Sequence, residues 1–342
     1  TACRGEGQAE TGRAARRGPP FDAARAYALL QRQVAFGPRV PGTPGHAAQL
    51  AWMTDTLRAL ADTVAVQRFT HVTARGDTLR LANVFARFRP ELPDRVLLVA
   101  HWDTRPTADN EPDSARRARP IPGANDGASG TAVLLELAHV LSSHSPPVGV
   151  DLLFVDGEDY GPESEDMYLG SKHFAANLPP GYRPLYGIVV DMVADRDPSF
   201  PVEAYSREYA PEVVDRVWRL AEELGYGHRF QPTTGGPVMD DHVPLNRAGI
   251  RTIDIIDFDY PHWHTLADDL PNTAPAGLEA VGTVLVELIA ALDFRHGELP
   301  ARLYQLFEYA LREVKASRWA MPRYILAELR DAWQQALPGV GT

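Results

Sequence analysis

Arg95-Val96-Leu97-Leu98-Val99-Ala100-His101-Trp102-Asp103 is the stretch whose reading decides the fold. Its unbroken apolar run is the pattern of a strand buried on both faces, which occurs in parallel sheets covered by helices. The same logic extends outward. Upstream, residues 21–36 and 46–60 carry helical periodicity on either side of a turn-rich break at 37–45, and 64–73 and 78–88 form two strands able to pair. Downstream, helix and strand alternate: helix 128–141, strand 150–156, helix 168–177, strand 187–192, helix 211–224, strand 251–256 and helix 273–292. This order predicts an α/β fold with a mixed, mostly parallel central sheet and helices on both faces. Beyond Gly297, segments 299–317 and 322–337 read as two further helices, a C-terminal appendage. The expected organisation is a flexible tether over 1–20, a catalytic domain over 21–296 and a helical extension over 297–342.

Composition narrows the function. The 342 residues hold 34 Lys and Arg against 45 Asp and Glu, a formal net charge of −11, so the basic face of a nucleic-acid binder is not expected. The late apolar stretch at 281–292 is interrupted by Glu287 and falls short of the roughly 20 residues that cross a bilayer. Cys3 is the single cysteine, which excludes an internal disulfide and a thiolate metal cage. Thr1-Ala2-Cys3 reads either as the remnant of a bacterial lipoprotein cleavage site, with a lipid anchor on Cys3 and a cell-envelope location, or as a boundary with a chance cysteine.

In parallel sheets, ligands bind beyond the carboxyl ends of the strands. Here those ends carry His101-Trp102-Asp103, Asp156-Gly157-Glu158-Asp159, Asp191, and Asp254 with Asp257. Between the first two lies Gly123-Ala124-Asn125-Asp126-Gly127-Ala128-Ser129-Gly130, and further on come Asp240-Asp241-His242 and Trp263-His264-Thr265. Each has an ordinary structural explanation taken alone. His101 could be a satisfied core histidine, Asp126 a helix cap, Glu158-Asp159 a solvated pair, Asp191 a turn residue. Asp103 reads either as a carboxylate that orients the His101 imidazole or as a cap. The whole series does not reduce to such roles, because converging buried acids repel unless a cation offsets them. Imidazole and carboxylate ligands without thiolates suit zinc with an open coordination position.

At these residues the chain resembles the zinc-dependent aminopeptidase superfamily and, within it, the animal-type glutaminyl-peptide cyclotransferases and their bacterial relatives. The matching stretches are 36–42, 100–106, 123–130, 156–161, 169–173, 240–244 and 263–265, in order across most of residues 21–292. The resemblance implies zinc held by Asp126, Asp159 and His264, with Glu158 as general acid/base and Asp191 and Asp240 as acids beside the reacting centre. Asp159 stands where the animal pattern has Glu. His101 and Asp191 match positions that complete a two-zinc site in the aminopeptidases, so one zinc is expected and two are possible. The implied substrates are peptides or proteins with N-terminal Gln, and Trp263, with Tyr160 or Tyr168, would wall the pocket. The rival enzyme is a two-zinc aminopeptidase. A non-catalytic binding protein on the same fold would be expected to have lost Glu158 or a ligand.

Overall fold

In the computed structural model, which describes residues 17–292, the apolar runs become the interior strands of one sheet. In chain order the elements are α1 (Ala23–Val34), α2 (Pro44–Leu60), β1 (Thr63–Val72), β2 (Thr78–Phe88), β3 (Arg95–His101), α3 (Ala128–Ser143), β4 (Gly149–Val155), α4 (Leu169–Ala176), β5 (Gly187–Asp191), β6 (Phe200–Val202), α5 (Ala204–Tyr209), α6 (Pro211–Glu223), β7 (Phe230–Thr234), α7 (His242–Arg247), β8 (Thr252–Ile256) and α8 (Pro275–Ala290). The main sheet runs β1-β2-β4-β3-β5-β8. β1 and β2 are antiparallel to their neighbours, whereas β4, β3, β5 and β8 run parallel. The four parallel strands are buried along their whole length, and edge strand β1 is half exposed throughout.

Pleating divides each apolar run between two cores. Val96, Leu98 and Ala100 face a layer built from α1, α3 and α8, while Leu97 and Val99 face Phe174 of α4 and Leu245 of α7. Asp22 and Thr43 cap the first two helices by accepting from the amides of Arg25 and His46. α3 is buried nearly all round, as a helix between the sheet and other helices must be.

The anticipated fold is present. Additions to it are the small parallel sheet of β6 with β7 and the single-turn helices α5 and α7, which are too short to leave a periodic signature. Asp254 is a correction. It lies in mid-β8, opposite Val189 of β5, rather than at a strand end. Cys3 with its lipid reading, residues 1–16 of the tether, and the C-terminal helices at 299–317 and 322–337 lie outside the described residues. No helix among the described residues is long and apolar enough to cross a membrane.

Candidate metal centre and active site

Because β3, β4, β5 and β8 run in parallel, their carboxyl ends open on one edge, and the polar residues beyond them meet there. His101 and Asp191 are the last residues of adjacent strands β3 and β5. Glu158 and Asp159 occupy the turn after β4, Asp126 immediately precedes the Gly127 cap of α3, and His264 sits in the loop after β8. Gly127 is required by position. Its φ is +87°, and a Cβ there would stand 2.6 Å from the Asp103 carbonyl and 2.8 Å from the His101 ring. No side chain caps α3, so Asp126 is free of the capping role that its position suggested.

Two trios result. His264 Nε2 lies 3.6 Å from Asp126 Oδ2 and 3.3 Å from Asp159 Oδ1. His101 Nε2 lies 3.2 Å from Asp126 Oδ1 and 3.1 Å from Asp191 Oδ1. Tetrahedral bonds of zinc to N and O put ligand atoms about 3.3 Å apart, so both sets have the right spacing. They differ in what is left over. Both ligand oxygens also accept from the protein, Asp191 Oδ1 from Met192 N at 2.8 Å and Asp159 Oδ1 from Arg105 at 2.7 Å, but the other oxygen of Asp159, Oδ2, is buried with no partner. The first trio therefore carries a free acceptor facing no donor, which is where a cation fits.

The surrounding groups hold the ligand residues in place. Asp103, fully buried, accepts from the amides of Glu158 (3.1 Å) and Asp159 (3.3 Å) and lies 3.6 Å from His101 Nδ1. It thus fixes the turn carrying the two acids and sets a negative charge beside the imidazole. Asp268 does the same for Asp126, accepting from the amides of Asn125 (2.8 Å) and Asp126 (3.2 Å). Arg105 donates to Asp159 Oδ1 at 2.7 Å and to Asp109 at 2.6 Å.

A cavity of about 420 Å³ opens on these groups. Asp126, Glu158, Asp159, Asp191, Asp240 and His264 form its polar wall, and Tyr168, Met192, Val238, Phe258 and Trp263 its apolar one. Trp263 stacks on His264 with ring centroids 4.0 Å apart. Tyr168, Met192 and His264 all have left-handed backbones, with φ of 57°, 47° and 54°. Strain of this kind collects at functional sites, where the surroundings over-determine the conformation.

Burial dominates the electrostatics. It pushes the Glu158 carboxyl well above the usual carboxylate range, with Asp159, Asp240 and Asp241 adding to the push and His101 opposing it. Asp191 is pushed up to about 7 by burial, against the pull of His101. Asp159 is raised by burial and by Asp126. Burial also acts on His101, but Asp191, Asp103 and Asp126 outweigh it and raise the imidazole well above its ordinary value. The site is short of positive charge, as the sequence pattern implied.

Not every residue flagged in the sequence converges here. Tyr160 lies outside the cavity lining and packs against the cluster of Leu79, Leu81 and Leu169, so only Tyr168 serves as a tyrosine wall. Asp156 turns away to His46 Nε2 (2.9 Å) and the Ala82 amide (2.7 Å). Asp257 accepts from the Ser199 amide at 3.1 Å. Trp102 is fully buried, stacked on His46 with its indole N–H on the Ala82 carbonyl. Arg105 and Asp268 were not anticipated. Arg105 stands two residues past Asp103, but nothing in the local pattern pairs it with a turn 54 residues away. The loop at 104–122 shapes the entrance. Arg105, Asp109 and Asn110 line the cavity, and Asn110 N donates to the His264 carbonyl at 3.1 Å.

Comparison with known proteins is consistent with this geometry. A sequence profile of peptidase family M28 matches residues 83–289. A glutaminyl-peptide cyclotransferase-like protein of Mus musculus is 29% identical over 286 residues, covering 74% of this chain and 71% of that protein. The crystal structure of Bacteroides thetaiotaomicron glutaminyl cyclase bound to N-acetylhistamine superposes with a TM-score of 0.78 at 40% identity, covering 80% of this chain and 99% of that one. A protein described as a leucine aminopeptidase precursor from the same organism gives 0.79 at 39% identity, covering 81% and 99%.

Proposed function

The chain belongs to peptidase family M28, and from that premise we propose that it is a zinc-dependent glutaminyl-peptide cyclotransferase, converting N-terminal Gln of peptides to pyroglutamate with release of ammonia. One observation carries the reading. Glu158, a buried carboxyl with raised proton affinity, stands on the cavity wall beside the Asp126–Asp159–His264 trio, in a chain similar over nearly the full length of a glutaminyl cyclase.

Asp126, Asp159 and His264 would hold one zinc. The mixed imidazole and carboxylate donors, their mutual spacing and the unpartnered Asp159 Oδ2 all support that assignment. Bound there, zinc supplies Lewis acidity that polarises the γ-carbonyl of the substrate glutamine. Glu158 accepts a proton from the substrate α-amine as that nitrogen closes on the carbonyl carbon of the γ-carboxamide, and returns it to the departing amide nitrogen, which leaves as ammonia. A carboxyl with raised proton affinity suits both halves of that transfer at neutral pH. Asp240 and Asp191 line the same wall and hold the proton in register. Trp263 and Tyr168 enclose the five-membered ring as it forms and keep bulk water from competing for the carboxamide carbon. Attack within one molecule needs no water nucleophile, so one metal suffices.

A second reading has its own observation. The His101–Asp126–Asp191 trio has metal-ligand spacing, and a solved neighbour is described as an aminopeptidase precursor. In a two-zinc aminopeptidase Glu158 would deprotonate a water instead. Incubation with a Gln-peptide and with Leu- and Ala-arylamides separates the two. Ammonia with a pyroglutamyl product is the expected outcome, alongside one zinc per chain. A freed N-terminal residue with two metals per chain would reject the cyclase.

A further inference from the structure

The chain between the Glu158 turn and α4 closes on itself. The Tyr168 amide donates to the Glu158 carbonyl at 2.8 Å, and the Leu169 amide to the Gly157 carbonyl at 3.0 Å. Residues 158–168 therefore form a surface loop of the compact kind whose two ends lie side by side. Pro162, Glu163, Ser164 and Glu165 are exposed, Asp166 is buried, and the next two residues, Met167 and Tyr168, line the cavity.

What covers Asp166 is the far end of the β1–β2 hairpin. Asp166 Oδ1 lies 2.7 Å from His71 Nε2, and its two oxygens accept from the Ala74 amide at 3.2 and 3.1 Å. An apolar contact runs beside this polar one. Leu79 and Leu81 of β2 cluster with Leu169, Phe69 of β1 packs against them, and Phe69 also stacks on His173 of α4 with ring centroids 4.2 Å apart. Among the described residues, none of the hairpin lines the cavity. Its bond to Asp166 nevertheless ends two residues from a cavity wall. Tyr168 has a left-handed backbone, φ 57°, which a non-glycine residue keeps only where its surroundings over-determine it. The Glu158 carbonyl fixes it from one side.

We propose that Asp166 is a positioning residue for the Tyr168 wall. Tied to His71 and Ala74, it braces the loop against the hairpin and so sets the shape of the cavity that receives the substrate's glutamine. The effect on turnover rests on the cyclase reading; the brace itself does not.

The test asks whether Asp166 acts through Tyr168. Asp166→Ala removes the acceptor of every bond to the hairpin, Asp166→Asn keeps an acceptor for the Ala74 amide, and His71→Phe removes the imidazole alone. With a Gln-peptide, Asp166→Ala is expected to raise KM about tenfold, the low end for a hydrogen bond to a charged group, with kcat within about threefold and zinc content unchanged. A wall that holds ground state and transition state alike moves KM alone. Asp166→Asn should stay within about threefold of wild-type KM, as a retained acceptor predicts. In a Tyr168→Ala background, Asp166→Ala should change KM by less than about twofold, because the residue it acts through is already gone. Hydrogen exchange gives a readout independent of turnover, with the Tyr168 and Leu169 amides exchanging about tenfold faster in Asp166→Ala and in His71→Phe than in wild type. If Asp166→Ala does not fold, His71→Phe carries the same comparisons. An unchanged KM in the alanine variant, an undiminished rise in the Tyr168→Ala background, or a fall in kcat with KM held would each overturn the proposal. So would an asparagine variant damaged to the same extent as alanine, or unaltered exchange at 168 and 169. If wild type forms no pyroglutamate, the functional reading fails, and exchange at the two amides still decides the brace.

Discussion

Asp151 and Asp159 are buried carboxylates near opposite ends of β4, and their surroundings could hardly differ more. Asp151 receives a two-pronged bond from Arg95 (2.6 and 2.7 Å), a third from Arg87 (3.1 Å) and a fourth from the Tyr182 hydroxyl (2.8 Å). Asp159 has Arg105 on one oxygen and nothing on the other, with Asp126 pressing on it as a like charge. At the amino ends of the strands the protein matches its buried charge internally. At the carboxyl ends it leaves the match incomplete, and the missing positive charge must come from outside the chain. Structural and functional acids are told apart by this remainder, since burial is the same for both.

Removing the outside partner should have the largest effect. Chelation is expected to abolish turnover and lower the thermal midpoint, and stoichiometric zinc should restore both; an ion at a thousand times its Kd stabilises by about 4 kcal/mol. Calorimetry with activity recovery checks this, and an unchanged midpoint would mean that the acids at the carboxyl ends need no ion. Next, Glu158→Gln should reduce kcat by about 10²- to 10⁴-fold, the usual worth of a positioned acid/base, with zinc content unaltered. Metal analysis beside steady-state kinetics reports on it.

On the structural side the effect falls on stability and spares turnover. Arg95→Met leaves Asp151 short of its principal donor and should cost about 3–5 kcal/mol of stability in denaturant titration, with kcat per folded molecule intact. Glu203 offers a pH-resolved version. Its donors, the amides of Tyr205, Ser206 and Val238, and His242 bring the carboxyl down to about 2, so its contribution is present above the unfolded value near 4.5 and is lost as pH falls toward 2. Glu203→Gln should therefore cost about 3 kcal/mol at pH 7, and the gap to wild type should close over that acid range. The smallest effect sharpens the contrast most. Burial and Asp126 raise Asp159, so its charge opposes folding when no cation is bound. Metal-free Asp159→Asn should be at least as stable as metal-free wild type at pH 7 by chemical denaturation. A clear loss of stability would place Asp159 with Asp151.

Much of this was legible before any coordinates. The run at 96–100 appears as β3 with the expected bounds, and the acids and imidazoles placed beyond strand ends supplied His101, Asp126, Glu158, Asp159, Asp191, Asp240 and His264, all now at one edge. The same rule also flagged Asp156, Asp254 and Asp257, which do not line the cavity, because proximity to a strand end in sequence does not say which way a side chain turns. Asp156 found His46, 110 residues earlier, and Tyr160 found the apolar patch around Leu81. Arg105 and Asp268 left no signal, since each works on a partner 54 or 142 residues distant.

The sequence by itself determined which segments are buried strands and which residue types wait at their ends, because hydrophobic period and strand direction are local properties. Only the tertiary structure decided which acids stand within reach of one another at the cavity and which are matched by arginine. Those partnerships are made across parallel crossovers, between residues that no local pattern relates.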